Sequence, residues 1–246
     1  MKTVLITGCS SGFGLATVQY FLARSWKVVA TMRTPNETIF APSEHLRVLP
    51  LDVTDPHSIE QALRAAGPID ALVNNAGIGM LGALEGISMA SIRDVFETNT
   101  FGTMAMIQAA LPQFRQRKAG VVVNVTSSVT IKSLPLLSVY TASKAAVNAF
   151  TESLALELEP FNVRMNLVLP GRAPATDFGK NAQPRMQSSI PAAYDELAQR
   201  IFAEWSQSTA VTEMQDVAEA VWRAVTDPMS PRRIVAGADA VALVTA

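Results

Sequence analysis

The sequence predicts an α/β fold: a doubly wound parallel sheet of about seven strands with helices on both faces, in a single domain over residues 1–246. Three observations predict it. Short apolar runs alternate with helical patterns along the chain. Residues 120–126 are Val-rich on both faces, as a central parallel strand is. No internal repeat, low-complexity tract or linker divides the chain.

The elements follow in order. Residues 4–6 read as a buried strand and 12–24 as a helix. Residues 27–32 and 46–51 read as the second and third strands, with a helix over 56–66 after the latter. A fourth strand covers 69–73. Residues 88–117 are helical for most of their length, with Pro112 expected to kink or end the helix, because proline lacks the N–H that the ladder needs. After the fifth strand, a helix over 142–159 runs up to Pro160, and a sixth strand over 163–169 stops at Pro170-Gly171. Residues 172–208 hold Pro174, Pro184 and Pro191 and no clear strand, so they read as a mobile lid with one or two short helices. A helix over 212–226 is expected to be capped by Thr212, with Gln215 completing a capping box, and residues 233–236 read as the last strand.

Composition narrows the function classes. A net charge of -1 provides no field for nucleic acid or an anionic membrane. No apolar stretch reaches the length of a membrane helix. The one cysteine, Cys9, excludes an internal disulfide and fits a reducing, cytoplasmic setting. His45 and His57 stand in no ligand spacing, so no metal is expected. There is no Gly-x-Ser-x-Gly hydrolase elbow.

The stretch Thr7-Gly8-Cys9-Ser10-Ser11-Gly12-Phe13-Gly14 joins the first strand to the first helix. Its glycines allow a tight turn and close approach to a pyrophosphate, which the helix N-terminus attracts. A tight turn without a ligand is the plainer reading of the loop taken alone. The spacing Gly-x3-Gly-x-Gly differs from the commoner dinucleotide fingerprint. It resembles the cofactor signature of the short-chain dehydrogenase/reductase family, in its branch of about 250 residues. With Ala30-Thr31-Met32-Arg33 it resembles the members related to 17β-hydroxysteroid dehydrogenases. The resemblance implies a Rossmann-like fold and a nicotinamide cofactor held by Gly8, Ser10, Ser11, Gly12, Phe13 and Gly14.

The acid that binds the adenosine ribose in NAD enzymes would fall, by this resemblance, at Met32. Met32 cannot accept those hydrogen bonds, and the neighbouring Arg33 suits a 2'-phosphate, so NADP is expected. The resemblance also places Asp52 and Val53 at the adenine. It puts Asn75, Ala76 and Gly77, in Asn74-Asn75-Ala76-Gly77, under the cofactor, and Pro170-Gly171 on the nicotinamide side. The family's threonine falls five residues after that proline. Residue 175 is Ala here, so the role passes to Thr176.

Tyr140 and Lys144 form a Tyr-x3-Lys pair, one turn apart on a helix face. A nearby ammonium stabilises a phenolate and lowers its pKa, which would let Tyr140 exchange a proton with a carbonyl or alcohol oxygen. The resemblance gives Lys144 the nicotinamide ribose as well. Ser127 and Ser128 compete as the serine that stabilises charge on the substrate oxygen. The family spacing, thirteen residues before the tyrosine, selects Ser127. Asn99, in Asn99-Thr100-Phe101-Gly102, matches the fourth catalytic member, whose backbone carbonyl holds a water that links the lysine to solvent. Two poor helix formers there, Asn99 and Gly102, favour a local kink.

The expected activity is NADP(H)-dependent hydride exchange between a small-molecule carbonyl and an alcohol. The rivals are a non-catalytic NADP(H)-binding sensor or scaffold on this fold, and an epimerase or dehydratase. Phe178, Met186, Ile190, Tyr194, Phe202 and Trp205 either line an apolar substrate pocket or form a core for the lid. By resemblance the chain would form a homodimer or homotetramer through helices around residues 100–117 and 142–158.

Overall fold

A computed structural model describes residues 1–186, 189–207 and 209–245, without the side chains of residues 183–186. Met186's side chain and Ser208, the far end of the expected lid, therefore lie outside the described residues.

Seven strands form one parallel sheet: β1 (Thr3–Thr7), β2 (Lys27–Met32), β3 (Leu46–Pro50), β4 (Ala71–Asn74), β5 (Gly120–Val125), β6 (Val163–Pro170) and β7 (Arg233–Ala236). Their order is β3-β2-β1-β4-β5-β6-β7. The chain winds outward in both directions from the β1–β4 pair, and such a reversal opens a crevice at the carboxyl ends of the strands.

Alternation along the strands builds two cores. Val4 and Ile6 of β1 face α1 (Gly12–Leu22) and α8 (Met214–Thr226), where Val18, Phe21 and Val221 are fully buried. Leu5 faces the opposite layer: α2 (Pro56–Ala66), α4 (Gly102–Arg117) and α5 (Ser138–Leu158), with Met106, Ile107 and Phe114. Among the described residues, the segment expected to be a lid holds two α-helices, α6 (Phe178–Met186) and α7 (Asp195–Gln207). A last helix, α9 (Ala238–Thr245), is absent from the sequence reading because its eight residues carry no apolar period.

Two expectations need correction. Pro112 does not end the helix; it sits within α4, four residues after the exposed Gln108. The interruption comes earlier. Between α3 (Met89–Phe96) and α4, residues Glu97–Phe101 form a π turn in which Gly102 N–H bonds to Glu97 O. Thr212 does not cap α8 either. Glu213 does, in a reciprocal box with Asp216, because the Thr212 hydroxyl is turned inward to Gly171 and Asp239.

Candidate active site

The glycine loop leaves β1 at the centre of the crevice. Gly8 and Gly12 have φ of 72° and 56°, which L-residues with side chains adopt at a cost. A Cβ on Gly8 would meet Ala76 Cα at 2.8 Å, so the loop lies against the Asn75-Ala76 turn. That turn is held by β1. The Thr7 hydroxyl accepts from Asn75 N–H (3.0 Å) and Ala76 N–H (2.9 Å), and Asn75 Nδ2 donates to Thr7 O and Gly8 O. Ser11 begins α1 without a side-chain hydrogen bond to its first N–H groups, the kind of donors an anion takes at a helix N-terminus. Ser10 is exposed and Phe13 packs on the core below. Cys9 is fully buried, and burial pushes its thiol up to about 12, so it is an inert packing residue.

At the end of β2, Met32 is buried and Arg33 exposed. The Asp52 carboxyl is held below the ordinary carboxylate range, first by the Thr54 N–H (2.9 Å). Partial burial opposes this, and the Thr54 hydroxyl and the Arg33 charge add to it. Arg33 and Asp52 thus flank one end of the crevice. Val53 lies on Gly102, where a Cβ would meet Val53 Cγ2 at 2.8 Å.

The polar cluster is built by α5, β5 and the π turn. Tyr140 stands in the first turn of α5 and Lys144 one turn on, both buried. Lys144 Nζ donates to Val125 O (3.1 Å) and lies 6.0 Å from the Tyr140 ring centroid. Burial lowers the Lys144 ammonium to about 8. Burial also raises the Tyr140 phenol to about 12, while the Ser127 hydroxyl, bonded to its oxygen, pulls it down. Burial thus acts on the phenol in the direction opposite to the lowering expected from Lys144. Ser127 begins a short 3-10 turn (Ser128–Thr130), its hydroxyl accepting from Val129 N–H. Ser128 is equally buried, but Ser127 is the serine bonded to Tyr140.

The Asn99 amide is enclosed by its neighbours. It is 1% exposed, accepts from Ile78 N–H (2.8 Å), and donates to Ile78 O (2.9 Å) and Ser143 Oγ (3.1 Å). Ser143 in turn donates to Tyr140 O (2.7 Å). A Cβ on Gly77 would meet Asn99 Oδ1 at 3.2 Å and Lys144 Nζ at 3.3 Å, so glycine keeps the space before the ammonium open. The sequence reading missed Ser143 and Thr7. The signal for Ser143 was its place three residues after Tyr140, on the same helix face.

The segment after β6 packs over this cluster. The Phe178 ring lies 5.8 Å from the Tyr140 ring, and its edge fills the space a Cβ on Gly79 would take. Thr176 is buried, with its Cβ over Gly12. Ile190, Tyr194 and Trp205 form a lid core with Leu81, Ala83 and Leu136, while Phe202 is exposed against Trp205. Of the apolar set with described side chains, Phe178 alone lies against Tyr140.

The donors fit a nicotinamide dinucleotide: a glycine cradle that side chains would fill, free helix N–H groups at the phosphate position, and a buried ammonium facing open space beyond. No group of His, Cys, Asp and Glu able to hold a metal is found among the described residues, nor any helix long and apolar enough to cross a membrane.

Known proteins place the chain further. The short chain dehydrogenase family model matches residues 2–187. The chain is 34% identical to human retinol dehydrogenase 8 over 254 aligned residues, covering 94% of this chain and 80% of the relative. It is 38% identical to human 17-beta-hydroxysteroid dehydrogenase type 1, over 67% of this chain and 55% of that protein. The closed form of serine dehydrogenase complexed with NADP+ superposes with a TM-score of 0.82 at 26% identity, covering 96% of this chain and 95% of that one. Similar solved chains hold NADP in some cases and NAD in others. With this sheet order, this site and these relatives, the chain belongs to the short-chain dehydrogenase family of oxidoreductases.

Proposed function

We propose that residues 1–246 act as one NADP(H)-dependent oxidoreductase domain, in the cytoplasm, interconverting a carbonyl and an alcohol, with Tyr140 as general acid and base. The observation that carries the reading is the buried Ser127–Tyr140–Lys144 cluster, joined to Asn99 through Ser143, beside the glycine cradle. The nicotinamide, when bound, supplies or takes the hydride. In carbonyl reduction Tyr140 gives its phenolic proton to the substrate oxygen, and Ser127 donates a hydrogen bond to that oxygen as charge develops. Lys144, as ammonium, holds the ribose hydroxyls and favours the phenolate left behind. Asn99 fixes the turn at Ile78 and the Tyr140 backbone. Gly8, Ser10, Ser11, Gly12, Phe13 and Gly14 cradle the phosphates; Asp52 and Val53 meet the adenine; Asn75, Ala76, Gly77, Pro170, Gly171 and Thr176 line the cofactor. Phe178 against Tyr140 favours a substrate that is apolar next to its carbonyl.

Turnover of a panel of ketones and aldehydes with NADPH and with NADH tests the reading. Arg33 is assigned to the 2'-phosphate. Arg33→Ala is expected to raise the KM for NADPH by about tenfold or more and to leave that for NADH unchanged. Equal use of both dinucleotides by the wild type would refute the NADP assignment.

The chain pairs with a second copy through α4 and α5. An apolar groove there is lined by Phe101, Met104, Leu111, Phe150 and Leu154, and Phe101 is 53% exposed. Phe101→Glu is expected to convert the dimer or tetramer to monomer in sedimentation velocity. A monomeric wild type would remove this part of the reading.

A further inference from the structure

One carboxylate ties together both ends of the lid. Asp239, half-buried in the first turn of α9, accepts from Arg172 N–H through Oδ2 (2.6 Å) and from the Thr212 hydroxyl through Oδ1 (2.7 Å). Thr212 is 2% exposed. Its N–H donates to Arg172 O (2.8 Å), and its oxygen accepts from Gly171 N–H (2.8 Å). Arg172 opens the lid and Thr212 follows shortly after its far end, so four hydrogen bonds close the loop at its base. Glycines permit the closure. A Cβ on Gly171 would run into the Asp239 carboxylate, and Gly237, at φ 98°, leaves room for the Thr212 side chain.

We infer that Asp239 is a positioning residue. It pins the two roots of the lid to each other and to the end of β6, and so sets where Gly171, Thr176 and Phe178 stand over the site. The inference rests on the oxidoreductase reading only for its kinetic consequence; the pinning is independent of it. Hydrogen bonds at the lid base act on local opening, which is governed by a smaller free energy than global unfolding. Asparagine can keep the node: its oxygen accepts from Arg172 N–H, and its amide donates to Thr212 Oγ1, which then donates to Ala236 O, 3.1 Å away. Alanine cannot.

The test is tryptic cleavage of the native protein at Lys180 and Arg200, followed by mass spectrometry beside a urea unfolding curve. Asp239→Ala is expected to speed cleavage at both sites by about tenfold, with a far smaller change in the global transition, and Asp239→Asn to stay near wild type. Thr212→Val, which removes the second acceptor and donor of the node, is expected to act in the same direction as alanine. In turnover, Asp239→Ala is expected to raise the KM for NADPH by about tenfold, with kcat reduced by less than about threefold and an unmoved pH profile. Wild-type cleavage rates in both Asp239→Ala and Thr212→Val overturn the inference, as does an asparagine variant as open as alanine. If the wild type neither binds nor oxidises NADPH, the oxidoreductase reading fails, and the cleavage rates still decide the pinning.

Discussion

Replacing Tyr140 with phenylalanine is expected to lower the maximal rate of NADPH-dependent reduction by about 10²–10⁴-fold, the range for losing a positioned general acid. The same protein should bind NADPH as the wild type does and unfold at nearly the same denaturant concentration. The two expectations come from different parts of the side chain. The ring packs with Met80, Val95, Val129 and Val139 and lies against Phe178, and phenylalanine keeps all of that surface. Only the hydroxyl is lost, and with it the hydrogen bond to Ser127 and the proton for the substrate oxygen. NADPH absorbance under saturating ketone and dinucleotide fluorescence titration separate the effects. A variant retaining a tenth of the activity would mean that another group supplies the proton.

For Lys144→Met, stability and activity should move in opposite directions. The ammonium is buried with one carbonyl partner, and no carboxylate lies within ion-pair distance among the described residues. Its fall from 10.5 to about 8 is due to burial and corresponds to roughly 3 kcal/mol of strain on the charged form. Methionine fills a similar volume without the charge. It is therefore expected to raise stability by about 1–3 kcal/mol, after the lost hydrogen bond, and the melting temperature by several degrees, while turnover collapses. The pH dependence follows from the same lysine. Its folded pKa lies below its unfolded one, so between about 8 and 10.5 the unfolded chain binds more protons, and stability rises with pH in that window. The methionine variant should lose this rise. Reduction runs the other way. Tyr140, at about 12, stays protonated throughout, whereas the Lys144 ammonium is lost above about pH 8. The wild-type rate should be level below that pH and decline above it; a profile level to pH 10 would remove Lys144 from the proton chemistry.

The strands were legible because a doubly wound sheet writes them as short apolar runs. β2 and β7 lie at their predicted bounds, and so does α2, with its strong amphipathic pattern and Pro56 at its first position. Elements held by tertiary contacts were not. The Thr212 capping signal is real in sequence terms, yet the hydroxyl is drawn to Asp239, which lies far along the chain and carries no local mark of its role. The site was legible where chemistry fixes spacing, as with Tyr140 and Lys144. It was illegible where the environment sets the proton affinity: no pattern of letters tells how deeply the phenol is enclosed, and burial reverses the expected shift. The lid's aromatics were undecidable in sequence for a like reason, since Phe178 and Trp205 differ only in which neighbour the fold brings to each.

The π turn at Glu97–Phe101 has a geometric consequence for the two helices it joins. α3 and α4 are in effect one rod with a residue too many. Each α-helical residue turns the backbone by about 100°, so the surplus offsets the apolar stripes on either side of it. Before the turn, Ile92, Val95 and Phe96 point into the small cluster around Tyr140; after it, Met106, Ile107, Ala110 and Phe114 point into the main core on the sheet. An uninterrupted helix would carry a single stripe and serve a single core. The extra residue lets one continuous stretch of chain grip the cluster around Tyr140 and the scaffold at once, with Asn99 at the point where the grip changes hands.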